Sequence, residues 1–167
     1  LVLASSLLSG LIVFFVAEER HRLRSMVNLV GASLKLLLVA YMLRGVLHGE
    51  EFAFRHSILP NLDLLLVADA LAMFFITLSA ALWFLTTLYA IGYLEGSPRR
   101  SRFFGFFSLC VTATAGVAMA GNLFSFFVFY ELLTLVTYPL VVHRGSEQAM
   151  RAGHVYLTYT LGGGALL

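Results

Sequence analysis

Residues 122–142 read NLFSFFVFYELLTLVTYPLVV, an apolar run in which Glu131 is the only charged side chain. At about 1.5 Å per residue, Glu131 lies about 13–14 Å beyond Asn122, near the middle of a hydrocarbon core about 30 Å thick. The run therefore predicts a transmembrane helix with a carboxyl group at mid-depth. A glutamate stem is too short to reach an interface from there. The carboxyl must face protein or water, find a cation, or carry a proton. Thr134 and Tyr138 follow at i+3 and i+7, placing a hydroxyl and a phenol on the same helix face. Pro139 withdraws a backbone donor and predicts a kink that frees the carbonyl near Leu135.

The rest of the chain has the same character. Of 167 residues, 60% are hydrophobic and 12% charged, against about 45–50% and 25% in soluble domains. Mean hydropathy is +0.90. A soluble globule, a disordered tail and a disulfide scaffold are excluded. Apolar segments at 1–17, 26–47, 65–93, 103–120, 123–143 and 149–167 predict an all-α, polytopic transmembrane helix bundle of about six spans, forming one domain over 1–167. Gly121-Asn122 alone separates the fourth and fifth spans, so they form a tight hairpin. The mixed stretch 50–63 is either an interfacial segment or a partly buried outer loop. The chain begins at Leu1 and ends in the apolar GGGALL of 162–167, which suggests an incomplete sequence. Leu1–Ala17 lacks the basic start of a signal peptide.

Arg20, Arg22, Arg24, Arg99, Arg100, Arg102, Arg144 and Arg151 fall after spans one, three and five, whereas the other loops carry Arg44 and Arg55. The positive-inside rule makes the odd-numbered loops cytoplasmic and the N-terminus external. These clusters read as topology signals rather than a nucleic-acid surface. Cys110, the single cysteine, reads as a small buried hydrophobe. No spacing suggests zinc, haem or iron–sulfur ligation, no nucleophile constellation occurs, and no cofactor or metal is expected.

Other polar groups fall inside the spans. Lys35 either snorkels on its long stem or pairs with a carboxylate on a neighbouring helix, and Glu131 is a candidate partner. Asp69 stands near the outer end of span three, where a capping role is inexpensive. His154 shares a face with Thr158 and Gly162, and could hold or pass a proton. The alternative is a histidine hydrogen-bonded to a neighbouring helix. Gly162–Gly164 leave room for close packing or an unwound turn. The chemistry left to such a chain is movement of protons or cations.

Four stretches carry a resemblance: VADALAMFF at 67–75, LYAIGYL at 88–94, RFF at 102–104, and GNLFSFFVFYELLTLVTYPLV at 121–141. In this order they resemble the antiporter-like membrane subunits shared by respiratory complex I and the multisubunit Na+/H+ antiporters, most closely the D-type antiporter subunits. The resemblance covers about 60–167 and is weak before that. It implies a piece of a fold of about fourteen helices with two inverted five-helix repeats. It also implies that Glu131 is the family's intramembrane glutamate of the fifth helix, which pairs with a lysine on the seventh. Lys35 does not match that lysine.

On this basis the expected function is that of a proton-conducting subunit of a monovalent cation (Na+)/H+ antiporter, with Glu131 in the coupling path. The alternatives are a pumping membrane subunit of an NADH-quinone oxidoreductase or related ferredoxin- or hydrogenase-linked complex, or a structural remnant. In the redox case the electron chemistry belongs to other subunits. The expected partners are the lipid bilayer, other membrane subunits, protons and Na+, with no nucleic acid. The expected location is the bacterial or archaeal plasma membrane.

Overall fold

The computed structural model describes residues 1–60, 62–93 and 99–166. Positions 61, 94–98 and 167, which include parts of the 50–63 stretch, the 88–94 motif and the last span, lie outside the described residues. Six helices are present among the described residues: α1 (Val2–Phe14), α2 (His21–Leu47), α3 (Ala70–Tyr93), α4 (Arg100–Ala118), α5 (Leu123–Val141) and α6 (Glu147–Gly164). Helices α2 to α5 are each long and apolar enough to cross a membrane. The helix bundle read from the sequence is therefore the architecture observed.

Two strands, β1 (Ala53–Leu59) and β2 (Leu62–Val67), form an antiparallel hairpin between α2 and α3. This corrects the expectation for 50–63, and the helix expected from residue 65 begins at Ala70 instead. The sequence LDLLLV has no polar alternation, so a span and a strand look alike there. The distinction comes from tertiary bonds. Val67 N–H donates to Met119 O at 2.7 Å and Gly121 N–H donates to Leu65 O at 2.8 Å, so β2 borrows the α4–α5 turn as a further partner. Ser125 Oγ accepts from Leu65 N–H at 2.7 Å. Asn122 works twice, donating from Nδ2 to Asp63 O at 2.8 Å and capping α5 by accepting from Ser125 N–H at 2.8 Å. Arg55 Nε donates to Asp63 Oδ2 at 2.7 Å, and hydrogen bonds from Ser57 and Arg55 hold the Asp63 carboxyl below its usual range.

Helix α1 packs between α2 and α4, α3 packs on α2 and α4, α5 on α4, and α6 on α5. Small residues set these approaches, as in other membrane bundles where backbone proximity replaces the hydrophobic drive. A Cβ at Gly10 would stand 3.0 Å from Gly105 O, and one at Gly31 would stand 2.6 Å from Ser9 Oγ. Gly116 faces the Phe129 ring so closely that a Cβ would overlap it. Glu18, in the α1–α2 turn, accepts from the backbone N–H groups of Arg100 (3.1 Å) and Ser101 (3.0 Å), a carboxylate at the N-terminus of α4. Asp69 is a cap, accepting from Ala72 N–H at 2.7 Å. Helix α5 runs through Pro139 to Val141 as one element.

Gly116→Val pushes against a rigid ring, and the α4–α5 contact loses about 1–3 kcal/mol, as overpacked cores do; thermal unfolding of the solubilised protein should show a lowered Tm. In the α5–α6 turn, burial and then Arg102 and Arg99 push the His143 imidazole below its ordinary value. The folded state thus binds that proton less tightly than the unfolded one, and stability falls as pH drops from the ordinary histidine range through the lowered value. His143→Phe, which keeps a ring against Phe103, should flatten the acid limb of a Tm-against-pH curve; an unchanged limb would contradict this origin.

Candidate functional site

Glu131 sits on the face of α5 that meets α6. The contact is made by glycine: a Cβ at Gly164 would overlap Glu131 Oε1 and stand 3.1 Å from Tyr130 Cε1. Further along, a Cβ at Gly153 would stand 2.8 Å from Tyr138 Cε2. Two glycines of α6 therefore seat two polar side chains of α5, and the Glu131–Tyr138 face expected from the helical period is the α5–α6 interface. Thr134, between them in sequence, is buried. Glu131 itself is half-buried and makes no ion pair among the described residues; the pairs found there are Arg24–Glu18, Arg55–Asp63 and Arg151–Glu147.

Lys35 lies elsewhere. It is fully buried, 0% exposed, so its stem does not snorkel. Its Nζ donates to Ser6 Oγ at 3.0 Å and to Val111 O at 3.4 Å, and stands 5.6 Å from the Trp83 ring centroid. The structure does not bring it into ion-pair reach of Glu131. The physical reason is the helix order: Lys35 faces α1, α3 and α4, whereas Glu131 points at α6.

His154 is exposed on α6, as are Thr158 and Gly162. Thr158 Oγ1 donates to His154 O at 2.9 Å, a bond within the helix. Nothing among the described residues connects this face to Glu131, which looks onto Gly164. Cys110 Sγ lies 3.4 Å from Thr137 Oγ1, between α4 and α5.

A second polar grouping escapes a reading of the sequence alone. Ser6, Asn28, Lys35, Ser108 and Thr112 are all buried. Thr112 Oγ1 lies 2.9 Å from Ser6 Oγ and 3.0 Å from Ser108 O, and Ser108 Oγ lies 3.5 Å from Asn28 Oδ1. A signal for it exists in the spacing, since Asn28 and Lys35 are seven apart on α2 and share a face. The serines belong to it as hydrogen-bond partners rather than as nucleophiles. Among the described residues no cluster of His, Cys, Asp and Glu could hold a metal ion.

The chain is similar to several known proteins. The family model described as NADH-ubiquinone oxidoreductase (complex I), chain 5 N-terminus, matches residues 60–104. The chain is 26% identical over 103 residues to the Na+/H+ antiporter D subunit of Bacillus subtilis (strain 168), covering 62% of this chain and 21% of that protein. It is 28% identical over 99 residues to the NADH-quinone oxidoreductase L subunit of Mycobacterium tuberculosis (strain ATCC 25618 / H37Rv), covering 59% and 16%. The chain thus spans about a fifth or less of these relatives' length. A solved chain of the membrane-bound sulfane sulfur reductase (MBS), an archaeal respiratory membrane complex, superposes with a TM-score of 0.86 at 20% identity, covering 98% of this chain and 34% of that one. That likeness shows a shared fold. The chain is an integral membrane protein similar to the antiporter-like subunits common to complex I and the Na+/H+ antiporters, as its motifs imply.

The glycine seat gives a direct test. Gly162 and Gly163 have nothing within 4 Å of an added Cβ, in contrast to Gly164. Gly164→Val and Gly162→Val both replace a glycine near the end of α6, so their difference reads the contact of Gly164 with Glu131 and Tyr130. Gly164→Val should lower the Tm of the solubilised protein by more than Gly162→Val; equal shifts would show that α6 is not held at Glu131.

Proposed function

We propose that residues 1–167 act as one transmembrane unit of a proton-conducting subunit in a multisubunit monovalent cation (Na+)/H+ antiporter. Glu131 is its coupling carboxylate. The observation that carries this reading is a carboxyl at mid-depth of α5, lying against a glycine and holding no ion pair among the described residues. Such a group changes its proton occupancy when a neighbouring charge or water moves, because desolvation favours its neutral form and a cation its charged form. The glycine contact lets the carboxyl lie against the α6 backbone with no side chain between them, so a small helix movement alters its surroundings. His154 stays outside this path. The odd-numbered loops, with their arginines, are taken as cytoplasmic, in the plasma membrane of a bacterium or archaeon, among other membrane subunits.

A second reading has its own support: the family model and the Mycobacterium tuberculosis relative carry complex I descriptions, and the superposed structure is a respiratory complex. In it the same unit pumps protons while other subunits transfer electrons.

Everted vesicles carrying the complete natural complex distinguish these. Under the antiporter reading, added Na+ collapses a preformed pH gradient, and Glu131→Gln at matched abundance loses most of that response. A response equal in both proteins removes Glu131 from the path. No Na+ response in wild type, together with gradient formation driven by NADH or reduced ferredoxin, establishes the redox reading instead.

A further inference from the structure

Lys35 is a basic group with no counter-ion in its surroundings among the described residues. Its own helix α2 contains no aspartate or glutamate, and neither do α1, α3 or α4, which pack around it. It is 14 residues from His21 and 12 from Leu47 along α2, about 21 Å and 18 Å by helical rise, so it is near mid-membrane. The groups facing it are hydroxyl, carbonyl and indole: Ser6 from α1, Val111 O from α4 and Trp83 from α3. An intramembrane lysine without a carboxylate is costly to keep charged.

The polar surroundings are continuous in one direction only. From Lys35 they pass to Ser6 and then Thr112, whose Oγ1 donates to the backbone carbonyl of Ser108, and the Ser108 hydroxyl in turn faces Asn28 Oδ1 at 3.5 Å. Asn28 Nδ2 donates to Arg24 O at 3.0 Å, and the Arg24 guanidinium donates to Ser101 Oγ at 3.1 Å. Arg24, His21, Ser25 and Arg100 line a cavity of about 390 Å³ at that end of the bundle. His21 Nδ1 lies 3.0 Å from Arg24 Nη2 and 2.9 Å from Arg100 Nη2, and Glu18 lies 3.4 Å from Arg24 Nη1. In the other direction the file stops. Val2, Val39, Met73, Ile76 and Ala115 form a buried apolar cluster beyond Lys35. Hydroxyls can donate and accept by turning, whereas the Ser108 and Arg24 carbonyls only accept, so this side passes a proton where water bridges those two steps, which an apolar plug would not allow.

We infer that Lys35 is a second proton-binding site, distinct from Glu131, reached only from the arginine-lined mouth through the Asn28–Ser108–Thr112–Ser6 file. A proton arriving from the mouth binds the lone pair of the Nζ amine, and it leaves by the same file; no other bond is made or broken. The charge on Lys35 then changes inside the α1–α2–α4 packing without any carboxylate to compensate it.

The test uses the complete complex in everted and right-side-out vesicles, with Cys110→Ala as background. The probe is a small, impermeant, anionic methanethiosulfonate that suits the basic mouth. Asn28→Cys should label from the face bearing Arg20–Arg24, and Val39→Cys, behind the plug, should stay protected from both faces. Protection of Asn28→Cys, or labelling of Val39→Cys, overturns the one-sided file. The second arm measures gradient collapse or formation against pH. Lys35→Arg keeps the charge but cannot release its proton, so it should remove the inflection that protonation of Lys35 gives the pH profile, and Lys35→Met should remove it too. A Lys35→Arg protein with wild-type rate and pH profile shows a merely structural cation and overturns the proposal, even where Lys35→Met fails to assemble. Loss in Glu131→Gln beside an unaffected Lys35→Arg rejects this site while leaving the Glu131 reading intact.

Discussion

The hydrocarbon core supplies no water to polar groups, and this constraint organises the bundle. A backbone satisfies itself by forming helices, but serine, asparagine and lysine side chains inside a span must find partners on neighbouring helices. Helix α1 is built for that purpose. Its buried face includes Ser5, Ser6, Ser9, Gly10 and Val13, small enough to let α2 and α4 approach and polar enough to satisfy them. Ser5 and Ser6 also donate back to Val2 O and Leu3 O within the helix, so their hydroxyls keep a bond whichever neighbour they accept from. With a leucine at position 6 the Lys35 ammonium would lose one of its two oxygen partners.

The same constraint separates the two ionisable groups. Helix α4 stands between them, presenting Ser108 and Thr112 toward Asn28 and Ser6 and presenting Cys110 and Gly116 toward Thr137 and Phe129 of α5. A direct Lys35–Glu131 pair would require one of them to pass through that helix. The lysine is fixed by two hydrogen bonds and a ring, the glutamate by contact with a glycine backbone. Their surroundings differ accordingly: Lys35 is enclosed by α1, α3 and α4, whereas Glu131 is half-buried against the α6 backbone.

Much of this is legible in the residues. Long apolar runs with arginines in alternate loops point to the helices, and Glu131 stands out because a lone carboxylate among phenylalanine and leucine must find a cation, water or a proton. The Glu131–Tyr138 face follows from the 3.6-residue period. Other features are not legible, for identifiable reasons. The strand at Leu62–Val67 has the composition of a span, and its pairing with β1 and its bonds to Met119 and Gly121 distinguish it. Gly164 differs from Gly162 and Gly163 solely by what α5 brings against it. The partner of Lys35 depends on helix order, which periodicity within one helix does not contain. That His154 is exposed while Gly164 meets Glu131 depends on how α5 packs on α6, which the period of α6 alone does not contain.

The hairpin shows how this end of the bundle is closed among the described residues. Strand β2 cannot leave its backbone groups unpaired beside an apolar cluster, and β1 satisfies only one edge. The other edge is met by Met119 O and Gly121 N–H, which α4 and α5 leave free because helix ends have unsatisfied carbonyls and amides. Each element therefore cures the other's deficit. Gly121 makes the approach feasible, since a Cβ there would stand 2.8 Å from Leu65 Cγ and Val67 Cγ2. The consequence reaches the core: Leu66 and Ala68, delivered by this strand, join Val39, Met73 and Met119 in the apolar cluster that ends the Lys35 file. The apolar cluster beyond Lys35 is thus held in part by the turn that starts α5.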